Sequence, residues 1–134
     1  MLFRSNLESS GIINNKLYAW GLGTSGQLGD GTIVSKSSPI QIGTNSWTSV
    51  SVGGTHVAGI TSSYRLFTWG LGSTGQLGVV QVANQSSPAF VKSIVESYTT
   101  ISSGGSHTVA LRADQALIAW GLNTTGQKIG RAHV

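Results

Sequence analysis

The chain contains no cysteine among its 134 residues. That rules out disulfides and any cysteine-ligated metal. Charge is scarce, at 9% Asp, Glu, Lys and Arg against about 25% in a typical soluble domain. Only four acids are present, Glu8, Asp30, Glu96 and Asp114. They lie scattered along the chain, so paired-carboxylate acid–base catalysis has little to draw on. No apolar run approaches the roughly 18 residues of a membrane helix, and no membrane insertion is expected. No charged segment followed by an apolar stretch opens the chain, so no signal peptide is visible. No 3.6-residue apolar stripe persists beyond two turns, which argues against helices. Low charge together with 39% hydrophobic residues also argues against disorder.

What the chain does have is glycine, 19 of it, set in a repeat. Trp20, Trp69 and Trp120 recur at spacings of 49 and 51. Each is followed by glycine, at Gly21, Gly70 and Gly121. A Gly-Gln-Leu-Gly box stands at Gly26, Gln27, Leu28 and Gly29, and again at Gly75, Gln76, Leu77 and Gly78. Ser38-Pro39 recurs as Ser87-Pro88, and Trp47 as Tyr98. Gly53-Gly54 before His56 recurs as Gly104-Gly105 before His107. A period near 50 residues points to a stacked or radial array of supersecondary units.

Within each period the local signals are strands and turns. "KLYAW", "RLFTW" and "ALIAW" are short aromatic and aliphatic strands that end at a glycine. "WTSVSV" and "YTTISS" alternate as a strand exposed on one face requires. "HVAGI" and "HTVAL" are further strands. Ser62-Ser63-Tyr64 and Ala113-Asp114-Gln115 join them to the next aromatic strand as hairpins. "SSPIQI" and "SSPAFV" read as an outer strand, where proline is tolerated. Four short antiparallel strands per period describe a propeller blade. The expected fold is all-β, a partial β-propeller of about two and a half four-stranded blades.

The Trp-Gly pair, the Gly-Gln-Leu-Gly box, the mid-repeat proline and the Gly-Gly-x-His closely resemble the repeat of the regulator of chromosome condensation family. The resemblance runs over nearly the whole chain and implies a parent propeller of about seven blades. The organisation that follows is the tail of one repeat at 6–15, repeats at 16–64 and 65–115, and the start of another at 116–127. "SGII" at 10–13 aligns with "AGIT" at 58–61, with a turn one residue shorter, which sets Glu8 where the later copies carry histidine.

The third copy breaks off as "GQKIGRAHV". This tail has no strand alternation and no relation to the earlier boxes. It resembles a translated sequencing-library adapter, and the opening "MLFRS" resembles the same adapter read in reverse. Residues 1–5 and 128–134 are therefore expected to be artefacts around a metagenomic fragment, and such scars are left out of fold reasoning. Three of the eight basic residues, Arg4, Lys128 and Arg131, lie in those ends, so the net charge falls from +4 to +1. The case for a nucleic-acid partner, which needs clustered basic charge, goes with them.

Several motifs invite a sharper reading. "GLGTSG" and "GLGSTG" match the dinucleotide-binding fingerprint, but neither opens a helix nor is followed by an acid about 20 residues on, so both read as loop turns. His56 and His107 occupy equivalent places in successive repeats. No acid recurs beside them, which favours imidazoles bonded near the Gly-Gly turns over metal ligands. Trp47 and Tyr98, in register, are expected between blades. Asn84-Gln85-Ser86 and Asn123-Thr124-Thr125 match the glycosylation sequon.

No nucleophile, base and orienting group come together. The chain is expected to have no catalytic site, no metal and no cofactor. The stretches that differ most between copies are 30–37 and 79–86. Loops on a rigid frame carry recognition, so contacts to a protein partner are expected at Asp30, Thr32, Lys36, Gln81 and Asn84. The family resemblance implies protein partners. It also implies an alternative, guanine nucleotide exchange on a small GTPase. The nearly neutral, Ser/Thr/Asn/Gly-rich composition points to a bacterial surface, secreted or phage-associated setting.

Overall fold

The computed structural model describes residues 2–4, 8–73, 75–78, 83–91 and 97–121, with only the backbone described at 2–4 and 8. Gln81, the second sequon at Asn123 and the tail Lys128–Val134 lie outside these residues. The described chain is all-β, with three antiparallel sheets. The first orders β1 (Leu2–Arg4), β2 (Glu8–Ile13), β3 (Lys16–Gly21) and β4 (Lys36–Gln41). The second orders β5 (Trp47–Val52), β6 (His56–Thr61), β7 (Leu66–Gly70) and β8 (Gln85–Phe90). The third holds β9 (Tyr98–Ser103), β10 (His107–Arg112) and β11 (Leu117–Gly121). This is the partial propeller that the repeat predicts.

The sheets are out of phase with the sequence repeats. Each joins the end of one repeat to the start of the next, the second with two strands from each and the third, among the described residues, with two and one. The second sheet begins at Trp47 in mid-repeat and closes at Phe90 in the following one. The register is the same from sheet to sheet. Glu8 pairs Gly21, His56 pairs Gly70, and His107 pairs Gly121. Glu8 thus stands at the backbone position of the two histidines.

The hairpins explain the difference in turn length. Asn14 and Asn15, at φ 50° and 62°, form a two-residue turn in the left-handed region, which suits asparagine and the strand twist. The later hairpins use three residues and put only the last, Tyr64 or Gln115, at positive φ (63° and 72°). Pro39 and Pro88 fall on the outer strands β4 and β8, where the pairing with β3 and β7 shifts register. A residue without an amide proton costs no ladder bond there.

Two apolar seams hold the sheets face to face. Leu17, Ala19, Leu28, Ile42, Trp47, Val50, Val57 and Trp69 fill the first. Ala58, Ile60, Leu66, Val91, Tyr98, Ala110, Ile118 and Trp120 fill the second. Strand β6 serves both, sending Val57 one way and Ala58 and Ile60 the other, and it is buried along its whole length. Trp47 and Tyr98 sit in register inside the two seams, as the repeat predicts. Their size is matched on the adjacent strand. A Cβ at Gly59 would lie 2.6 Å from the Trp47 ring. Where tyrosine replaces that tryptophan, the equivalent residue is Ala110.

Candidate functional site

The signature residues build the seams. The Trp69 indole Nε1 donates to the Gln27 carbonyl at 2.9 Å, and Trp120 Nε1 donates to the Gln76 carbonyl at 2.8 Å. In each case the indole of one sheet is locked onto the Gly-Gln-Leu-Gly box of the sheet before it. The last glycine of the box makes room. A Cβ at Gly29 or Gly78 would come within 2.7 Å of the indole, and both glycines hold positive φ. Leu28 and Leu77 plug the seam beside them. Gly21, Gly70 and Gly121, at φ 103–113°, turn the chain out of the strand after each tryptophan. Gly26 and Gly75, also at positive φ, begin the box turn.

The histidines do structural work. Thr108 Oγ1 donates its one proton to the Gln76 carbonyl at 2.9 Å and lies 2.8 Å from His56 Nε2. That hydroxyl must therefore accept from His56, which fixes the proton on Nε2. His56 Nδ1 is buried without a hydrogen-bond partner. Burial pushes the imidazole from 6.5 down to about 4; a backbone contact with His107 offsets part of this, and the nearby His107 side chain adds to it. Both rings lie over a glycine, since a Cβ at Gly53 or Gly104 would collide with His56 or His107. The Gly-Gly turns also meet across the seam, where Gly54 N donates to the Gly104 carbonyl at 3.3 Å. Gly105 follows in the second turn. Among the described residues no three His, Asp or Glu side chains converge as a metal cluster.

The loops at the far end of β3 and β7 present the variable surface. Asp30 Oδ1 accepts from the Thr32 amide and hydroxyl, at 3.0 and 2.8 Å. Lys36 Nζ stands 3.9 Å from the other carboxylate oxygen. The Gly31 amide donates to Ser86 O of the next sheet at 2.6 Å, and the Gly23 amide to Ser35 Oγ at 3.1 Å. Asp30, Thr32 and Lys36 thus brace the loop. The side chains the brace holds out are Ile33 and Val34, 65% and 56% exposed. Sequence reasoning missed them, although adjacent β-branched residues in a low-charge loop were a visible signal. In the following repeat Asn84 Oδ1 accepts from the Gly72 amide at 3.1 Å, the same tether with a different side chain.

This lettering and geometry match known proteins. The model described as the regulator of chromosome condensation (RCC1) repeat covers residues 14–60 and 65–111. The chain belongs to the regulator of chromosome condensation repeat family. A second model of the same description covers residues 98–127 of this RCC1-repeat chain. No curated protein matches it by sequence. Among solved structures it is similar to human WBSCR16, with a TM-score of 0.83 and 23% identity, over 90% of this chain and 32% of that one. It is similar to Prp20p from Saccharomyces cerevisiae, with a TM-score of 0.81 and 19% identity, over 94% of this chain and 34% of that one. It also resembles the ectodomain of the Physcomitrella patens receptor kinase CR4, with a TM-score of 0.59 and 24% identity, over 91% of this chain and 28% of that one. These likenesses show the RCC1-repeat fold, and the chain spans about a third of the length of these structures.

Proposed function

We propose that this RCC1-repeat chain is a non-catalytic module that binds a protein partner through its β3–β4 and β7–β8 loops. The observation that carries the reading is the braced loop at 30–36. A polar brace at its base spends Asp30, Thr32 and Lys36 on local bonds. Two apolar side chains are left in water at its tip, on a backbone that these bonds and the hydrogen bond from the Val34 amide to Thr32 Oγ1 hold in place. Little conformational freedom then remains to be lost on binding. The structure of Prp20p was described together with that protein's binding to Gsp1p and histones, which supports a protein partner for this chain too. A photo-crosslinking residue at position 33 tests the reading, with the same residue at the exposed Ser37 of β4 as the control. Discrete protein adducts at 33, reduced by Val34→Ser, support it. Equal labelling at both positions counts against it.

The likeness to Prp20p favours one second reading, a regulator of a small GTPase that speeds nucleotide exchange. Release of a fluorescent guanine nucleotide from a Ran-type GTPase, with and without the chain, separates the two. An unchanged release rate leaves the interaction module alone standing.

A further inference from the structure

The opposite end of the strands carries a second surface. The hairpin turns at 14–15, 62–64 and 113–115 all lie there, because every sheet has the same register and strand direction. At this end the middle sheet differs from the first. Phe67 faces Phe90 across β7 and β8, where the first sheet pairs Tyr18 with Gln41. Tyr64 and Arg65 precede β7, where Asn15 and Lys16 stand in the first sheet. The middle sheet has thus put aromatic rings where its neighbour carries amides.

These rings are the end of a stack that begins in the core. Trp69 packs edge-on to Trp47, at 5.6 Å between centroids, and Trp47 edge-on to Phe67 at 5.6 Å. Phe67 meets Phe90 at 5.5 Å. The Arg65 guanidinium lies 5.7 Å over the Phe90 ring. Trp69 and Trp47 are fully buried, whereas Phe90 is 41% and Tyr64 56% exposed. A surface ring and a surface guanidinium are therefore positioned by contacts that reach the seam.

Tyr64 adds a third exposed group, 56% exposed, at this corner. It holds φ 63°, a conformation in which a bulky residue is an outlier and glycine or asparagine would be easier. Its backbone is pinned on both sides, the amide donating to Thr61 O at 2.9 Å and the carbonyl accepting from Tyr98 N at 3.0 Å. The turn thus keeps a large exposed ring in a position that discourages one. Gln115 takes the same conformation in the next hairpin, at φ 72°, so the backbone belongs to the turn and what sets this corner apart is the large exposed ring it carries. Arg65 makes no ion pair among the described residues. Asp30 lies on Lys36 at the other end of the sheets, and Asp114 is taken by Arg112 and the Ala116 amide.

We propose that the corner formed by Tyr64, Arg65 and Phe90 is a docking point for a segment of a partner protein that carries a carboxylate beside an aromatic ring. The carboxylate meets the guanidinium edge that the Phe90 ring leaves open, in the fork geometry arginine favours. The aromatic ring packs edge-on against Phe90 or Tyr64. Arginine and aromatic anchors are the side chains that dominate binding hot spots. This surface is distinct from the 30–36 loop, and neither site depends on the other.

The test is titration of the purified chain with a random glutamate–tyrosine copolymer, read by fluorescence anisotropy. Polyglutamate and a lysine–tyrosine copolymer are the comparison probes. The glutamate–tyrosine copolymer should bind at least fivefold more tightly than either. Arg65→Gln and Phe90→Ser should each weaken it about fivefold or more. Tyr64→Gly is the decisive variant, because it relieves the left-handed residue. Its melting temperature should hold or rise while its affinity falls, and Ile33→Ser should leave affinity unchanged. Equal binding of polyglutamate, or full affinity in Tyr64→Gly and Arg65→Gln, overturns the proposal.

Discussion

The two seams between the three sheets share one lock and differ in what surrounds it. Both carry an indole bonded to a glutamine carbonyl, over a glycine that could not be anything larger. In the first seam the neighbouring position on the central strand is Val57, which packs into an apolar cluster. In the second the same position is Thr108, which ties the Gln76 carbonyl to His56. The Trp–carbonyl bond is therefore the repeated element. The position next to it can be either apolar, or polar and satisfied, but not half of each. A buried polar group without its partner costs the full desolvation penalty.

The largest effect should come from breaking the shared lock. Trp69→Ala and Trp120→Ala each remove a buried indole and should cost about 3–5 kcal/mol, measured by denaturant unfolding. Trp120→Ala should be the milder by about 1 kcal/mol, because Thr108 still holds the carbonyl that the indole leaves. Equal losses would show that the threonine bond adds nothing.

Acid should separate the seams next. His56 is held neutral, with its pKa depressed from 6.5 to about 4. For a base with a lowered folded pKa, stability is complete above the unfolded value and declines as pH falls from about 6.5 toward 4. A tenfold loss of proton affinity on folding is worth about 1.4 kcal/mol, so up to about 3 kcal/mol is at stake. Melting temperature followed from pH 7 to pH 4.5 should drop. The drop should shrink in a His56→Leu, Thr108→Val double variant.

That double variant also tests the polar pair directly. Thr108→Val alone strands the His56 N–H and should cost about 1–3 kcal/mol, whereas removing both partners should be nearly neutral. A double variant as unstable as the single one would mean that His56 contributes by packing alone. Gly59→Ala probes the aromatic side of the first seam. It drives a methyl into Trp47 and should cost about 1–3 kcal/mol. Adding Trp47→Tyr, which copies the Ala110–Tyr98 pair of the second seam, should recover part of that loss in the same unfolding assay. The smallest effect on stability should come from Asp30→Ala, about 1 kcal/mol for a half-buried pair whose charges stand 3.9 Å apart. Its signature should be faster amide exchange at Gly31 and Thr32, where the loop of the first sheet reaches Ser86 of the second.

Much of the fold was legible because the repeat forces it. Trp69 and Trp120, the Gly-Gln-Leu-Gly box and the Gly-Gly-x-His lettering recur because each seam needs an indole, a glycine under it and a close backbone turn. Residues that make cross-sheet bonds could not be read in the same way. His56 and Thr108 lie 52 residues apart, and Val57 against Thr108 looks like drift until the carbonyl of Gln76 is placed between them. The phase of the sheets was hidden for a related reason, since hydrogen bonding across β6 and β7 ignores where the lettering restarts. In the loops, Asp30, Thr32 and Lys36 stood out because they are polar and variable. Their bonds to one another, which leave Ile33 and Val34 as the outward residues, appear only once the turn is closed.

The half-repeat offset between lettering and sheets has a genetic consequence. Insert one complete unit of about 50 residues within the array, in frame, and each sheet still joins the end of one repeat to the start of the next. The new junction is of a kind already present, as nearest-neighbour stacking requires. A duplication breakpoint therefore need not respect any structural border, and arrays of this kind can lengthen or shorten without inventing a new contact.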